Sequence, residues 1–474
     1  MIWSIAWKNV WRNKRRSLVV IVSVTLGIIS GVLLIGIFQG WIQQRLDDAI
    51  YNEVSHVQIH NKEFINNEEI VLTVDNLNEI SPGIDSLPEL SGWVKRSKII
   101  AMANTPWASA GMILYGIDPE KERQITEIHN KIVPGGGNYL SPENPGDLLI
   151  SDKTAEILRL KQFIITDKIM DELTQERVPS AVLENLKDIK DIRYRSPGEF
   201  RENLEKVLAG KELNRFGRMI TDKAVDYRLR NRVQVTLTDL KGIPVQSIFR
   251  VCGIYKTTNT GFDQASVFVN SGELATLCGS EDILTHEIAI LLNDIEDAGT
   301  VKEKLNGLAG DNVIRTWKEL APDAALMNDF MIMYYFIFIG IIMMALAFGI
   351  INTMLMAILE RTKELGMLMA IGMNRKRVFF MIMLETIFLT FVGALAGMLS
   401  GWAITTALGK TGIHFTGWGE GFEAIGFAAK VYPIITPGFL LFTTIMVLAT
   451  AILSSIWPAR KALKLNPVEA LRTE

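Results

Sequence analysis

Cysteine is nearly absent. Cys252 and Cys278 are the two in 474 residues, too few for a disulfide framework or a thiolate zinc cluster within one chain. They fit two separately buried thiols better than a disulfide, although an oxidising compartment would permit one. An excess of one charge is absent too: Lys and Arg number 49 against 52 Asp and Glu, without the basic balance of a nucleic-acid binder. No phosphate-binding loop is present. Gly409-Lys410-Thr411 has Ile404 where GxxxxGK[ST] needs its first glycine, and Gly135-Gly136-Gly137 runs into Asn138 and Tyr139 and reads as a turn. His56 and His60 stand four apart, a metal spacing on a helix, but His-Val-Gln-Ile-His alternates as a strand does. No pairing of nucleophile and base supports an enzyme.

What is abundant is apolar sequence, gathered in blocks. Hydrophobic residues make up 49% and charged ones 21%, a mixture of membrane and soluble parts in a chain long enough for two or three structural units. Ser17 to Phe38 carries no charge, and at about 1.5 Å per residue it can cross a hydrocarbon core of about 30 Å. It is followed by Gln39-Gly40-Trp41-Ile42 and not by a small-residue cleavage site, so it reads as a retained anchor. Three more spans crowd the C-terminal third. Bases collect beside them: Lys8, Arg12, Lys14, Arg15 and Arg16, then Arg361, Lys363, Arg375, Lys376 and Arg377, then Arg460, Lys461, Lys464 and Arg472. The positive-inside rule puts these flanks, and both termini, in the cytoplasm.

The layout expected is an integral membrane protein, four transmembrane helices with a large extracytoplasmic α+β domain inserted between helices one and two. Its segments are a cytoplasmic amphipathic elbow helix (1–16), span one (17–39), the extracytoplasmic domain (40–326), span two (327–359), a cytoplasmic coupling helix (360–377), span three (378–408), an extracytoplasmic loop (409–432), span four (433–457) and a cytoplasmic tail (458–474). Trp3, Trp7 and Trp11 recur every four residues beside Lys8, Arg12 and Arg15, a pattern for a helix lying in the headgroup layer or for a helical extension of span one. Gly27 and Gly31, and Gly393, Gly397 and Gly401, are spaced for close helix packing within a bundle or a dimer. Span two overshoots a bilayer and is read as projecting outward. Glu385, the acid inside a span, is expected to pair toward the basic end at Arg375 to Arg377, and Asn352 to bond another helix.

In the outer domain, alternating runs at Val57 to Ile59, Val233 to Leu237, Ile248 to Val251, Ala265 to Val269 and Glu287 to Ile290 read as strands. Helical patterns at Asp152 to Leu160 and Asp297 to Leu308 make the domain α+β. Dense charge and the spacing of Leu183, Leu186 and Ile189 mark 161–231 as a helical insertion.

The link between spans two and three reads Glu360-Arg361-Thr362-Lys363-Glu364-Leu365-Gly366-Met367-Leu368-Met369-Ala370-Ile371-Gly372. A short helix here exposes Glu360, Lys363 and Glu364 and offers Leu365, Leu368 and Met369 as an apolar ridge for a groove on a partner; the plainer alternative is an amphipathic turn on the membrane. This stretch resembles the coupling-helix signature of the FtsX-like permease family of ABC transporters, the mechanotransmission group with lipoprotein-releasing and MacB-type macrolide-exporter members. The tail, Pro458-Ala459-Arg460-Lys461-Ala462 and Asn466-Pro467-Val468-Glu469-Ala470-Leu471-Arg472, resembles that family's C-terminal signature. Likeness extends to Ser55 to Ile59, Gly116 to Glu120, Gly146 to Ile150 and Phe249 to Tyr255, and fails across the insertion.

The resemblance implies a permease that dimerises, as homo- or heterodimer, and docks a separate cytoplasmic ABC ATPase subunit through Glu360, Arg361, Lys363, Glu364, Leu365, Gly366, Ala370 and Gly372. ATP and magnesium would sit on that partner and no cofactor on this chain. The work, done beyond the inner membrane, would be release of lipoproteins from it; regulation of a cell-wall hydrolase and MacB-like efflux are the alternatives. Membrane lipids and a lipoprotein or periplasmic protein are the remaining partners, with no nucleic acid.

Overall fold

The computed structural model describes residues 2–12, 14–415, 421–422, 427–428 and 430–463. The tail motif at Asn466 to Arg472 therefore lies outside the described residues. The chain divides into two compact units, a helical one of residues 1–44, 326–420 and 428–474, and a second of 45–325 with 421–427.

Among the described residues, the helical unit holds four helices long and apolar enough to cross a membrane. Span one lies in the helix Lys14–Asp48, span two in Pro322–Glu360, span three in Arg375–Thr411 and span four in Pro437–Leu463. The helices of spans one to three outrun their expected stretches at both ends, because hydrogen bonding continues past the greasy residues into polar flanks, whereas that of span four begins at Pro437, later than the expected 433, and outruns its stretch only at the C-terminal end. Span four continues through Pro458, where the sequence suggested a boundary. Ala459 and Ala462 are buried there while Arg460 and Lys461 face out, so one face of the extension is packed and the helix persists.

A separate helix, Ile2–Arg12, precedes span one. It is not an extension of span one: Ala6 and Val10 are fully buried, and the rings of Trp3 and Trp7 stand edge-on to Phe388 of span three at 5.6 and 5.4 Å. The tryptophans keep their outer faces exposed, which suits rings at a membrane interface.

Among its described residues the second unit has twelve strands, ten in one sheet and two in a short pair set apart: β1 (Val57–Asn61), β2 (Leu90–Asn104), β3 (Ser109–Ile117), β4 (Ile132–Gly137), β5 (Asp147–Ser151), the pair β6 (Lys161–Phe163) and β7 (Val225–Tyr227), then β8 (Arg232–Thr238), β9 (Pro244–Tyr255), β10 (Ser266–Asn270), β11 (Glu287–Leu292) and β12 (Asn312–Thr316). The order β12-β1-β11-β2-β3-β10-β5-β9-β4, with β8 joining β9 back to β2, closes β2, β3, β10, β5, β9 and β8 into a ring. Alternation fills it. Ile99, Ala101 and Ala103 of β2, Val233 and Val235 of β8, Phe249 and Val251 of β9, and Val267 and Val269 of β10 share one buried cluster, as period-two side chains facing one side must.

Strand β2 changes partners midway. Residues up to Arg96 pair with β11, and from Ser97 onward they pair with β3. Arg96 is buried at this switch and bonds both Glu122 (2.7 Å) and Glu287 (2.6 Å), so its charge is compensated on each side. The insertion hangs from β6 and β7, paired antiparallel. Its helices enclose a core of their own around Phe163, Phe200, Leu204 and Ile220. The triple glycine is not a free turn: Gly135 and Gly137 take positive φ within β4, which pairs irregularly with β9.

Candidate functional site

The link between spans two and three is a helix of its own, Thr362–Ala370. Its end is dictated by sequence. Gly372 adopts φ +97°, the N–H of Met373 bonds the Leu368 carbonyl at 3.0 Å, and that of Gly372 bonds Met369 at 3.1 Å. This is a Schellman closure, which glycine permits because it has no Cβ to clash. Two residues on, Asn374 accepts from the Lys376 N–H at 3.0 Å and starts span three. The four residues 371–374 thus end one helix and begin the next.

The facing of this helix differs from the sequence expectation. Leu365 is 3% exposed and packs with Ile350, Met354 and Ile358 of span two, Val378, Met381 and Ile382 of span three, and Ala459 and Ala462 of span four. Gly366 is buried, and Leu368 and Met369 pack against the same cluster. The ridge expected to enter a partner's groove therefore closes the bundle, because an apolar stripe satisfies itself first on its own chain. The outward face carries Lys363, Met367 (51% exposed), Ala370 and Ile371 (78% exposed), spaced as one stripe. Glu360 is exposed beside it, and Gly372, Arg375, Lys376 and Arg377 prolong the exposed surface.

Glu364 and Arg361 belong to a connected set of charges. Arg12, at the end of the first helix, donates to both carboxylate oxygens of Glu364. Arg361 donates from Nε to Glu364 at 2.8 Å and from its guanidinium to Glu385 of span three at 3.1 Å. Glu385 thus pairs with Arg361 of the link, an interaction the sequence did not suggest. Its side chain is 3% exposed, and an acid so buried in a span needs a paired base. Hydrogen bonding from Arg12, with Arg361 adding to it, holds the Glu364 carboxyl below its ordinary range. Sequence reasoning missed Arg12 and Arg361 as partners.

A groove of about 310 Å3 runs between spans one and two, lined by Val20, Ser23, Gly27, Ile341, Leu346 and Thr353 among others. The glycine motifs pack within the chain. Added Cβ atoms at Gly27 and Gly31 would lie 2.8 and 2.9 Å from Leu346 and Ile342 of span two. At Gly397 a Cβ would meet Ile28 at 2.9 Å and the Thr25 carbonyl at 3.0 Å, and Gly393 and Gly401 likewise abut Val24 and Val32 of span one. The Thr25 hydroxyl donates to the Gly393 carbonyl at 3.1 Å, a reach that small residues allow by letting the two helices approach closely. Asn352 is exposed on span two and makes no inter-helix bond among the described residues.

The other candidates have private roles. His56 Nδ1 accepts from the Leu292 N–H at 2.9 Å, and both ring nitrogens of His60 face oxygens, of His286 and Gln58. Among the described residues no three His, Cys, Asp or Glu gather as a metal site. Cys252 and Cys278 are free, and burial pushes both thiols up to about 12.

Residues 336–467 match the family described as FtsX-like permease C-terminal. The macrolide export ATP-binding/permease protein MacB of Chlorobium luteolum is 36% identical over 126 residues, 27% of this chain and 16% of that protein. The uncharacterized ABC transporter permease YknZ of Bacillus subtilis is 24% identical over 242 residues, 50% of this chain and 56% of that one. The chain thus spans 16% and 56% of these two curated relatives. Among solved structures, the extracellular domain of YknZ from Gram-positive bacteria covers 55% of this chain and 99% of its own length at TM-score 0.29 and 12% identity. The periplasmic region of MacB from Actinobacillus actinomycetemcomitans covers 58% and 94% at TM-score 0.29 and 10% identity. Most of span two, the link, and spans three and four thus fall in the stretch that matches an FtsX-like permease C-terminal domain.

Proposed function

We propose that this chain is the membrane subunit of an ABC transporter, driven by ATP hydrolysis on a separate ATPase subunit. The observation that carries the reading is the link helix. Its Leu365 side is built into the bundle, and its Lys363–Met367–Ile371 side displays two large apolar residues with a basic continuation. A rigidly backed apolar stripe rimmed by bases suits an apolar groove with an acidic edge. The link and both termini face the cytoplasm in this reading, by the placement of bases. The 45–325 unit then works on the far side of the inner membrane, and a second permease subunit completes a dimer.

The substrate class is an acylated protein of the outer leaflet. The groove between spans one and two supports this, being lined by aliphatic side chains with a few hydroxyls and accommodating hydrocarbon. A second reading, efflux of a macrolide-like compound, is favoured by the name of the Chlorobium luteolum relative. The test is to purify the chain with the ABC ATPase it retains and measure hydrolysis with an acylated lipoprotein, its non-acylated form and a macrolide. Stimulation by the acylated form alone is the expected result. Stimulation by the macrolide alone selects efflux, and failure to retain any ATPase overturns the proposal.

A further inference from the structure

The geometry points to a charge latch, Arg12–Glu364–Arg361–Glu385, that fixes the link helix between the first helix and span three, with Glu364 acting as a positioning residue inside the chain and not as a contact for the ATPase. It rests on the docking reading above for its functional consequence, though not for its structure.

Three elements far apart in sequence meet here. Arg12 ends the helix that packs on span three through Trp3 and Trp7. Glu364 lies in the first turn of the link helix, and Glu385 lies in span three. Arg361 joins the two acids. Its contact with Glu385 is buried, where water and salt screen an ion pair little. The Arg12 contact is about half exposed, where a single ion pair is worth little unless it belongs to a network. The network is what gives it purpose: Arg12 holds the carboxylate that Arg361 also uses, so the link is tied on both flanks. The opposite face, Lys363 to Ile371, stays free of these bonds. A push on that face would move the first helix and span three with the link, instead of bending the link alone.

The latch separates two roles that sequence alone merges at Glu364. If Glu364 docks the partner, Arg12 is irrelevant to it. If Glu364 positions the link, Arg12 and Glu364 act as one. The first measurement uses the full chain in detergent micelles without any ATPase: amide hydrogen exchange of residues 362–371. Arg12→Ala and Glu364→Gln are each expected to speed exchange about two- to fivefold, the range of a networked surface pair, with the double variant no faster than the faster single. Arg12→Lys, which keeps the charge, is expected to restore most of the protection. Unchanged exchange in the singles, additive acceleration in the double, or an Arg12→Lys variant as fast as Arg12→Ala overturns the latch.

The second measurement, on the complex, compares ATPase retention with substrate-stimulated hydrolysis. The latch predicts retained ATPase with stimulation lowered similarly in both single variants. Loss of retention in Glu364→Gln with Arg12→Ala unaffected would make Glu364 a docking residue and overturn the proposal. If the unaltered chain retains no ATPase, the function reading fails, and the exchange experiment still decides the latch.

Discussion

At Asp263 a single carboxyl reports how tightly the 45–325 unit is built. It is buried and accepts from the Thr257 N–H at 3.0 Å and the Thr257 hydroxyl at 2.7 Å. Burial pushes it up to about 7, and the Thr257 bonds oppose but do not cancel that. An acid whose folded pKa lies above its unfolded one binds extra protons when folded, so its contribution to stability falls as pH rises between about 4 and 7. The isosteric Asp263→Asn is expected to remove that slope, at most about 1.4 kcal/mol per pH unit. Exchange of the β10 amides across this range checks it, and an unchanged slope contradicts it. His56, pushed down to about 4 by burial, has the opposite sign, so the comparison must be of variant against parent at each pH. Glu364 behaves conventionally. Its carboxyl is depressed, so its hold on Arg12 is complete at neutral pH and is lost only as pH falls below the ordinary carboxylate range.

At the scale of elements, the link and the glycine seams make the strongest demands. Gly372→Ala must place a Cβ at φ +97° and is expected to cost about 1 kcal/mol or more of local stability, read as faster exchange at Ile371 and Met373. Gly397→Leu must displace span one, because the Thr25 backbone and the Ile28 side chain occupy the space. A fall of several degrees in the thermal unfolding midpoint of the purified chain is the expected result, and an unchanged midpoint would contradict the packing described. The insertion is the converse case. Its core is separate from that of the strand ring, so replacing 164–224 with a short turn between β6 and β7 should leave exchange protection of β8 and β9 intact; its loss would show that the insertion is structural.

Much of this was legible in sequence, for physical reasons that also mark where legibility ended. Strands β8 and β9 showed through because alternating residues such as Val233, Val235 and Leu237 reflect a two-sided environment, β10 and β11, buried on both faces, showed through as short apolar runs, and the spans showed through by length. The partner switch of β2 at Arg96 had no local sign, since it depends on what lies on either side of the strand. Arg12 and Glu364 are 352 residues apart, and nothing in either neighbourhood announces the other. The link could have been phased better. Leu365, Leu368 and Met369 form its apolar stripe, and such a stripe ordinarily faces its own core, which leaves Met367 and Ile371 outside.

For the whole molecule, the account requires that the exposed stripe of the link receive the ATPase. Ile371 is 78% exposed, so Ile371→Asp should leave the fold untouched while placing a charge where the partner's apolar surface would sit. The decisive measurement is ATPase retention and lipoprotein-stimulated hydrolysis by the purified Ile371→Asp complex, beside its thermal unfolding midpoint. The account predicts an unchanged midpoint with retention or stimulation reduced at least about tenfold, a loss of about 1.4 kcal/mol or more. Full retention together with full stimulation in the Ile371→Asp complex would contradict it.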